Sequence, residues 1–116
     1  MGQGLDVIIV EEDPAVCDML SENISRFFTW GDIVTFTDAA AAARYCLKRD
    51  TGIAIFIVDI FLGGESGFSF LDEVAPQYPL LYGDTIMLAG SASDEIVDMC
   101  LASDINYLLE KPIRPY

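Results

Sequence analysis

The stretch that decides the fold is "IAIFIVDIFLGGESGF", Ile53 to Phe68. Six apolar residues run from Ile53 to Val58 before Asp59 interrupts them, and a loop with Gly63 and Gly64 follows. An unbroken apolar run suits a strand buried on both faces, as in a parallel sheet. A lone carboxylate at its end, beside glycines, serves either a turn or a reactive site.

Similar units lie on both sides. "LDVIIVEEDP" (Leu5–Pro14) carries a second continuous run, Val7–Val10, then two glutamates. Asp13 and Pro14 read as helix cap and first helical residue. Val16, Met19, Leu20, Ile24 and Phe27 recur at helical spacing, with Gly31 as the expected break. "IVTFT" (Ile33–Thr37) is a more polar strand suited to a sheet edge, and Asp38 caps an alanine-rich helix. After the glycine loop, Ser66 caps a third helix that ends near Pro76. "TIMLAG" (Thr85–Gly90) is a fourth strand. Ser91 and Asp94 resemble a capping box for a fourth helix whose expected inner face is Ile96, Val97, Cys100 and Leu101. "INYLLE" (Ile105–Glu110) is a fifth strand, followed by Lys111-Pro112.

Strands alternating with helices predict one α/β domain, a doubly wound parallel sheet with helices on both faces. The expected unit spans residues 5–116, and a fifth helix is missing after the fifth strand. Continuation of the natural chain, or a partner or second copy, would cover the face left open.

Composition narrows the chemistry. Among 116 residues there are 19 acidic and six basic ones, a formal net charge of −13. Direct nucleic-acid binding needs clustered lysine and arginine, so it is not expected. The chain has no histidine, which excludes serine–histidine and cysteine–histidine mechanisms within it. Three widely spaced cysteines fit core positions better than disulfides or a zinc site. No apolar run is long enough to span a bilayer, and a cytoplasmic setting is expected.

In open α/β sheets ligands bind beyond the carboxyl ends of the strands. Glu11 and Glu12 stand there after the first strand, Asp59 after the third, Ala89-Gly90-Ser91 after the fourth and Lys111 after the fifth. Singly, these are ordinary loop charges or turn caps. Together, three carboxylates call for a divalent cation, and hard oxygen donors suit Mg²⁺. A cation, a lysine and an aspartate oxygen suit phosphoryl transfer onto the aspartate.

In "VIIVEEDP", "FIVDIFLGGESGF", "TIMLAGSAS" and "YLLEKPI", in that order and spacing, the chain resembles the receiver domain of bacterial two-component response regulators. The resemblance implies a flavodoxin-like fold with strand order 2-1-3-4-5, an order carried over from the family rather than read from spacing. It implies Asp59 as phosphoacceptor and Lys111 as partner of the phosphoryl oxygens. Glu11, Glu12, Asp59 and the Phe61 backbone carbonyl would hold Mg²⁺. Gly67 would end the loop, and Lys111-Pro112 would be a cis peptide. A histidine kinase or phosphotransfer protein would supply the phosphoryl group, an output domain or downstream protein would read it, and homodimerisation stays open.

The chain also departs from the family. Glu12 stands where a shorter aspartate is usual. Ala89 stands where a serine or threonine hydroxyl usually meets the phosphoryl group, and an alanine donates no hydrogen bond. Leu108 stands where the switch aromatic is usual, with Tyr107 one residue off and so on the opposite face. Gly63-Gly64 replaces a frequent proline and predicts a mobile loop. Two readings lead, a phosphorylatable receiver and a pseudo-receiver that keeps the fold as a binding module; a third, a phosphohydrolase with Asp59 as nucleophile, lacks a general acid because Phe61 stands where its second aspartate would.

Overall fold

In the computed structural model, residues 5–112 are described. The first strand, β1 (Asp6–Val10), is buried along its whole length. It pairs in parallel with β2 (Ile33–Phe36) on one side and β3 (Ala54–Asp59) on the other. Beyond β3 come β6 (Thr85–Ala89) and then β7 (Tyr107–Glu110), also parallel. The five-stranded order is β2-β1-β3-β6-β7, the 2-1-3-4-5 order implied by the resemblance. The short β4 (Phe61–Leu62) and β5 (Glu65–Ser66) form a separate antiparallel pair.

Helices cover both faces. Helix α1 (Pro14–Ser25) buries Cys17 and Leu20 against Val7, Ile9, Ile57 and Leu88. On the opposite face α2 (Ala39–Lys48), α3 (Gly67–Val74) and α4 (Asp94–Ala102) meet Ile8, Val10, Phe56, Val58 and Met87. Alternate β1 residues thus feed opposite layers, which explains its unbroken apolar run. Ala42, Ala43 and Cys46 let α2 lie close on the sheet. Burying one large side chain such as Phe56 stabilises the domain by about 1.5–3 kcal/mol.

Helix starts follow local chemistry. The Asp13 carboxylate accepts from the Ala15 N–H at 2.9 Å, the Asp38 carboxylate from Ala41 at 3.0 Å and the Ser66 hydroxyl from Phe68 at 3.0 Å. The peptide Lys111-Pro112 is cis. All three cysteines are buried free thiols.

Four expectations need correction. Helix α1 stops at Ser25, and the expected inner residue Phe27 is 74 % exposed. The N–H groups of Phe27 and Phe28 both bond the Ile24 carbonyl, so the helix ends in a tight turn before the aromatic run. Gly31 is not the break: a Cβ there would lie 2.3 Å from the Leu5 carbonyl oxygen, so it permits a close backbone approach. Ser93, not Ser91, caps α4, accepting from the Ile96 N–H at 3.3 Å. Only Ile96 and Cys100 of the expected α4 face pack against the core, while Val97 and Leu101 face solvent one helical step around.

The loop after Asp59 differs too. Leu62 and Glu65 pair across a two-residue turn, and Gly63 takes φ +65° at its first position. The glycines make a tight hairpin where a mobile loop was expected. The chain beyond Pro112, on which the expected absence of a fifth helix bears, lies outside the described residues.

Candidate functional site

The carboxyl ends of β1, β3 and β7 converge on one cluster. Glu11 continues β1: its N–H donates to the Phe36 carbonyl at 3.0 Å, which holds the residue in the sheet and buries it completely. Its Oε2 accepts from the Asp13 N–H at 3.0 Å and its Oε1 from Lys111 Nζ at 3.0 Å. Asp59 ends β3, almost as deeply buried. Its Oδ1 accepts from the Phe61 N–H at 3.0 Å and its Oδ2 from Lys111 Nζ at 2.5 Å. Lys111 is fixed by its own backbone, whose N–H donates to the Ala89 carbonyl at 2.7 Å.

One ammonium therefore faces two buried carboxylates. Burial pushes the Glu11 carboxyl above its ordinary range. The Asp13 N–H and Lys111 pull it back, while neighbouring Asp59 adds to the rise. Burial alone would lower the Lys111 pKa, but hydrogen bonds and charge from Asp59 and Glu11 outweigh it and leave it raised. Lys111 is thus held charged beside an oxygen of Asp59.

The hairpin shapes the mouth. The Gly67 N–H donates to the Ile60 carbonyl at 2.7 Å and closes the base of the hairpin, while the Ile60 N–H bonds the Leu88 carbonyl at 2.9 Å. Phe61 and Ser66 are the next pair in register. The Phe61 N–H goes to Asp59 Oδ1. A Cβ on Gly67 would lie 2.2 Å from the Asp59 carbonyl oxygen, so only glycine lets α3 start against the end of β3. The Phe61 ring is 61 % exposed. It lines an open cleft with Gly90, Ser91, Ser93, Glu95 and Ile96.

The sequence-predicted residues thus fall into two groups. Glu11, Asp59 and Lys111 are in direct contact. Glu12 is exposed and outside that contact, with its Oε2 3.6 Å from where a Gly63 Cβ would stand. Ala89 is buried at the end of β6. Leu108 pairs in register with Met87 and packs against the core, whereas Tyr107 pairs with Ile86 and is exposed. The donors available for a cation are all oxygens, which fits a hard ion such as Mg²⁺. Among the described residues no three acidic, cysteine or histidine side chains are already gathered around one point.

Sequence reasoning missed a second polar cluster at the opposite end of the sheet. Asp6 and Arg49, both buried, pair at 2.8 Å. Arg49 also donates to the Tyr78 hydroxyl at 3.2 Å, which in turn donates to the Cys46 carbonyl at 2.7 Å. The only signal was a charge preceding the apolar run of β1. Among the described residues no helix is long and apolar enough to cross a membrane.

Comparison with known proteins agrees with this fold. The response regulator receiver domain family matches residues 7–116. Among solved structures, chemotaxis protein CheY4 of Vibrio cholerae superposes with a TM-score of 0.80 at 22 % identity, covering 96 % of this chain and 89 % of that one. A response regulator receiver domain from Rhodospirillum rubrum gives 0.75 at 19 % identity, covering 95 % and 82 %. A Burkholderia pseudomallei response regulator, solved with a phosphorylated aspartic acid, calcium ion and citrate, gives 0.76 at 16 % identity, covering 95 % and 61 %. These likenesses carry the fold. No curated protein matches the chain.

Proposed function

The chain belongs to the response regulator receiver domain family, and from that premise we propose that Asp59 accepts a phosphoryl group from a phosphohistidine and that the domain relays the signal. The observation that carries this is the single ammonium of Lys111 held on both Glu11 and Asp59 at the carboxyl edge of the sheet. On this reading residues 5–116 act as one receiver unit in the cytoplasm. The chain has no histidine, so the donor imidazole comes from a kinase or phosphotransfer partner. An output domain or separate protein reads the result, and homodimerisation is one way of presenting it.

The transfer is a direct displacement. An Asp59 carboxylate oxygen attacks phosphorus, the new P–O bond forms, and the P–N bond to the donor imidazole breaks. The imidazole leaves with the bonding pair and takes its proton from solvent. Lys111 then has an anionic oxygen to hold in place of the carboxylate oxygen it held before. The Phe61 N–H keeps the other Asp59 oxygen fixed, so the nucleophile is positioned before the donor arrives.

Mg²⁺ fits the chemistry of the donors. Glu12, Asp59 and the Phe61 carbonyl would hold it, with Glu11 behind them. When bound, it would neutralise charge on the transferring group. The set is not preassembled, because Lys111 stands on Asp59 and Glu12 lies apart. Intact mass after incubation with Mg²⁺ and a small phosphodonor tests the reading. One phosphoryl adduct is expected, absent in Asp59→Asn; an unmodified native chain would overturn it.

A second reading, the pseudo-receiver, draws on Ala89, which offers no hydroxyl to a phosphoryl group. It expects no change in the loop after β6 when a phosphoryl mimic is added.

A further inference from the structure

The loop after β6 contains a hydroxyl whose role is unassigned. Ser91 lies two residues past Ala89, in the exposed cleft it shares with Phe61. Among the described residues its hydroxyl makes no hydrogen bond to the protein. Ser93 lines the same cleft but is engaged as the α4 cap. Phe61 connects the cleft to the candidate nucleophile, since its N–H bonds Asp59 Oδ1 at 3.0 Å. The Phe61 wall of the cleft is thus two residues from Asp59 on the hairpin side, and Ser91 on the other wall is two residues from Ala89.

The loop is secured lightly. Below it, the Lys111 N–H bonds the Ala89 carbonyl at 2.7 Å and fixes the end of β6. Above it, the Ala92 N–H bonds Glu110 Oε2 at 3.3 Å, an exposed contact. Between them, a Cβ at Gly90 would meet nothing within 4 Å. Gly90 and Ser91 are both exposed, and the bond that ties the far side of the loop to Glu110 is long and solvent-exposed, so an inward shift of the loop gives up little.

We propose that Ser91 donates the hydrogen bond to the Asp59-bound phosphoryl group that Ala89 cannot, by an inward movement of the 90–92 loop that releases Ala92 from Glu110. This rests on Asp59 being the phosphoacceptor. It assigns the phosphoryl contact to a residue outside β6. It also makes Glu110, next to Lys111, the group that holds the loop outward in the resting domain.

The test uses beryllofluoride with Mg²⁺ as the phosphoryl mimic, followed by amide resonances of residues 89–93, with intact mass after phosphodonor treatment in parallel. The native chain should bind the mimic and shift those resonances. Ser91→Ala should still take the phosphoryl adduct on Asp59 but bind the mimic roughly tenfold more weakly, the scale of one hydrogen bond to a charged group, and lose the shifts. Ser91→Thr should restore both. Ala89→Ser in the Ser91→Ala chain should restore affinity by supplying the hydroxyl from β6. Ser91→Ala with native affinity and native shifts would overturn the proposal while leaving Asp59 phosphorylation standing. A native chain that takes no adduct and binds no mimic would overturn both.

Discussion

The two ends of the sheet carry buried ion pairs built on opposite principles. At the amino end, Asp6 meets Arg49 one to one, and both are closed in by further bonds. Asp6 Oδ1 accepts from the Asp32 N–H at 2.8 Å, and Arg49 reaches the Ile53 carbonyl at 3.3 Å. Gln77 ties the same region by donating to the carbonyls of Cys46 and Arg49 at 3.0 and 2.9 Å. At the carboxyl end one lysine serves two carboxylates, and its side chain is 26 % exposed against 5 % for Arg49. A balanced, closed pair maintains geometry. An unbalanced pair open to solvent favours an incoming cation or a change of partner. The difference separates a structural latch from a reactive site using charge count and access alone.

The largest expected effect comes from opening the latch. Arg49→Met leaves the Asp6 carboxylate buried without its cation and should lower unfolding free energy by about 3–5 kcal/mol, read from urea denaturation. A loss as small as that from Lys111→Met would break the contrast between the two ends. Lys111→Met itself should cost about 1–3 kcal/mol at neutral pH and abolish the phosphoryl adduct, since it removes a hydrogen-bonded charge from a partly open site. Its pH signature is alkaline. The folded Lys111 pKa is raised, so its stabilisation is complete below the ordinary lysine value of about 10.4 and fades as pH rises through the folded value. Alkaline denaturation curves of Lys111→Met should lack that component.

Asp59→Asn goes the other way. Removing one of two like charges should raise stability at neutral pH by about 1 kcal/mol, measured by thermal or urea unfolding, while eliminating the adduct. Asp6→Asn should destabilise, which would sharpen the contrast. The smallest effect is expected for Glu11→Gln and lies in its pH dependence. Folding raises the Glu11 pKa, so this group stabilises the native state most below its ordinary value of 4.5, and that contribution is lost as pH rises through the folded value. The variant should therefore compare best with the native chain at neutral pH and lose ground on acidification. Parallel urea titrations at pH 7 and near pH 4 check this.

How much of this was legible in the sequence depends on the range of each interaction. Asp13, Asp38 and Ser66 were readable as caps because a side chain bonds a backbone group two or three residues away. The parallel sheet was readable because β1 and β3 are apolar on both faces. Glu11, Asp59 and Lys111 were readable as a set because strand ends share one edge, although Asp59 and Lys111 lie 52 residues apart. The family resemblance supplied their strand order. The rest turned on choices between near neighbours or on distant partners. Ser91 and Ser93 both offer a hydroxyl ahead of α4, and backbone geometry chose the second. Phe27 fits the helical period, but the chain turns before reaching it. Asp6 and Arg49 meet across 43 residues from two different elements, with nothing in either local pattern to pair them.

The buried thiols have a practical consequence. Burial pushes Cys17 up to about 11 and Cys46 up to about 12, so at neutral pH neither is a thiolate, and both are covered by protein. An alkylating reagent therefore reaches them only through openings of the native structure. Cys17 is on the buried face of α1 and Cys46 on that of α2, on opposite sides of the sheet, so the two labelling rates time the loosening of each layer independently. The native sequence carries its own pair of chemical clocks, with no label to introduce.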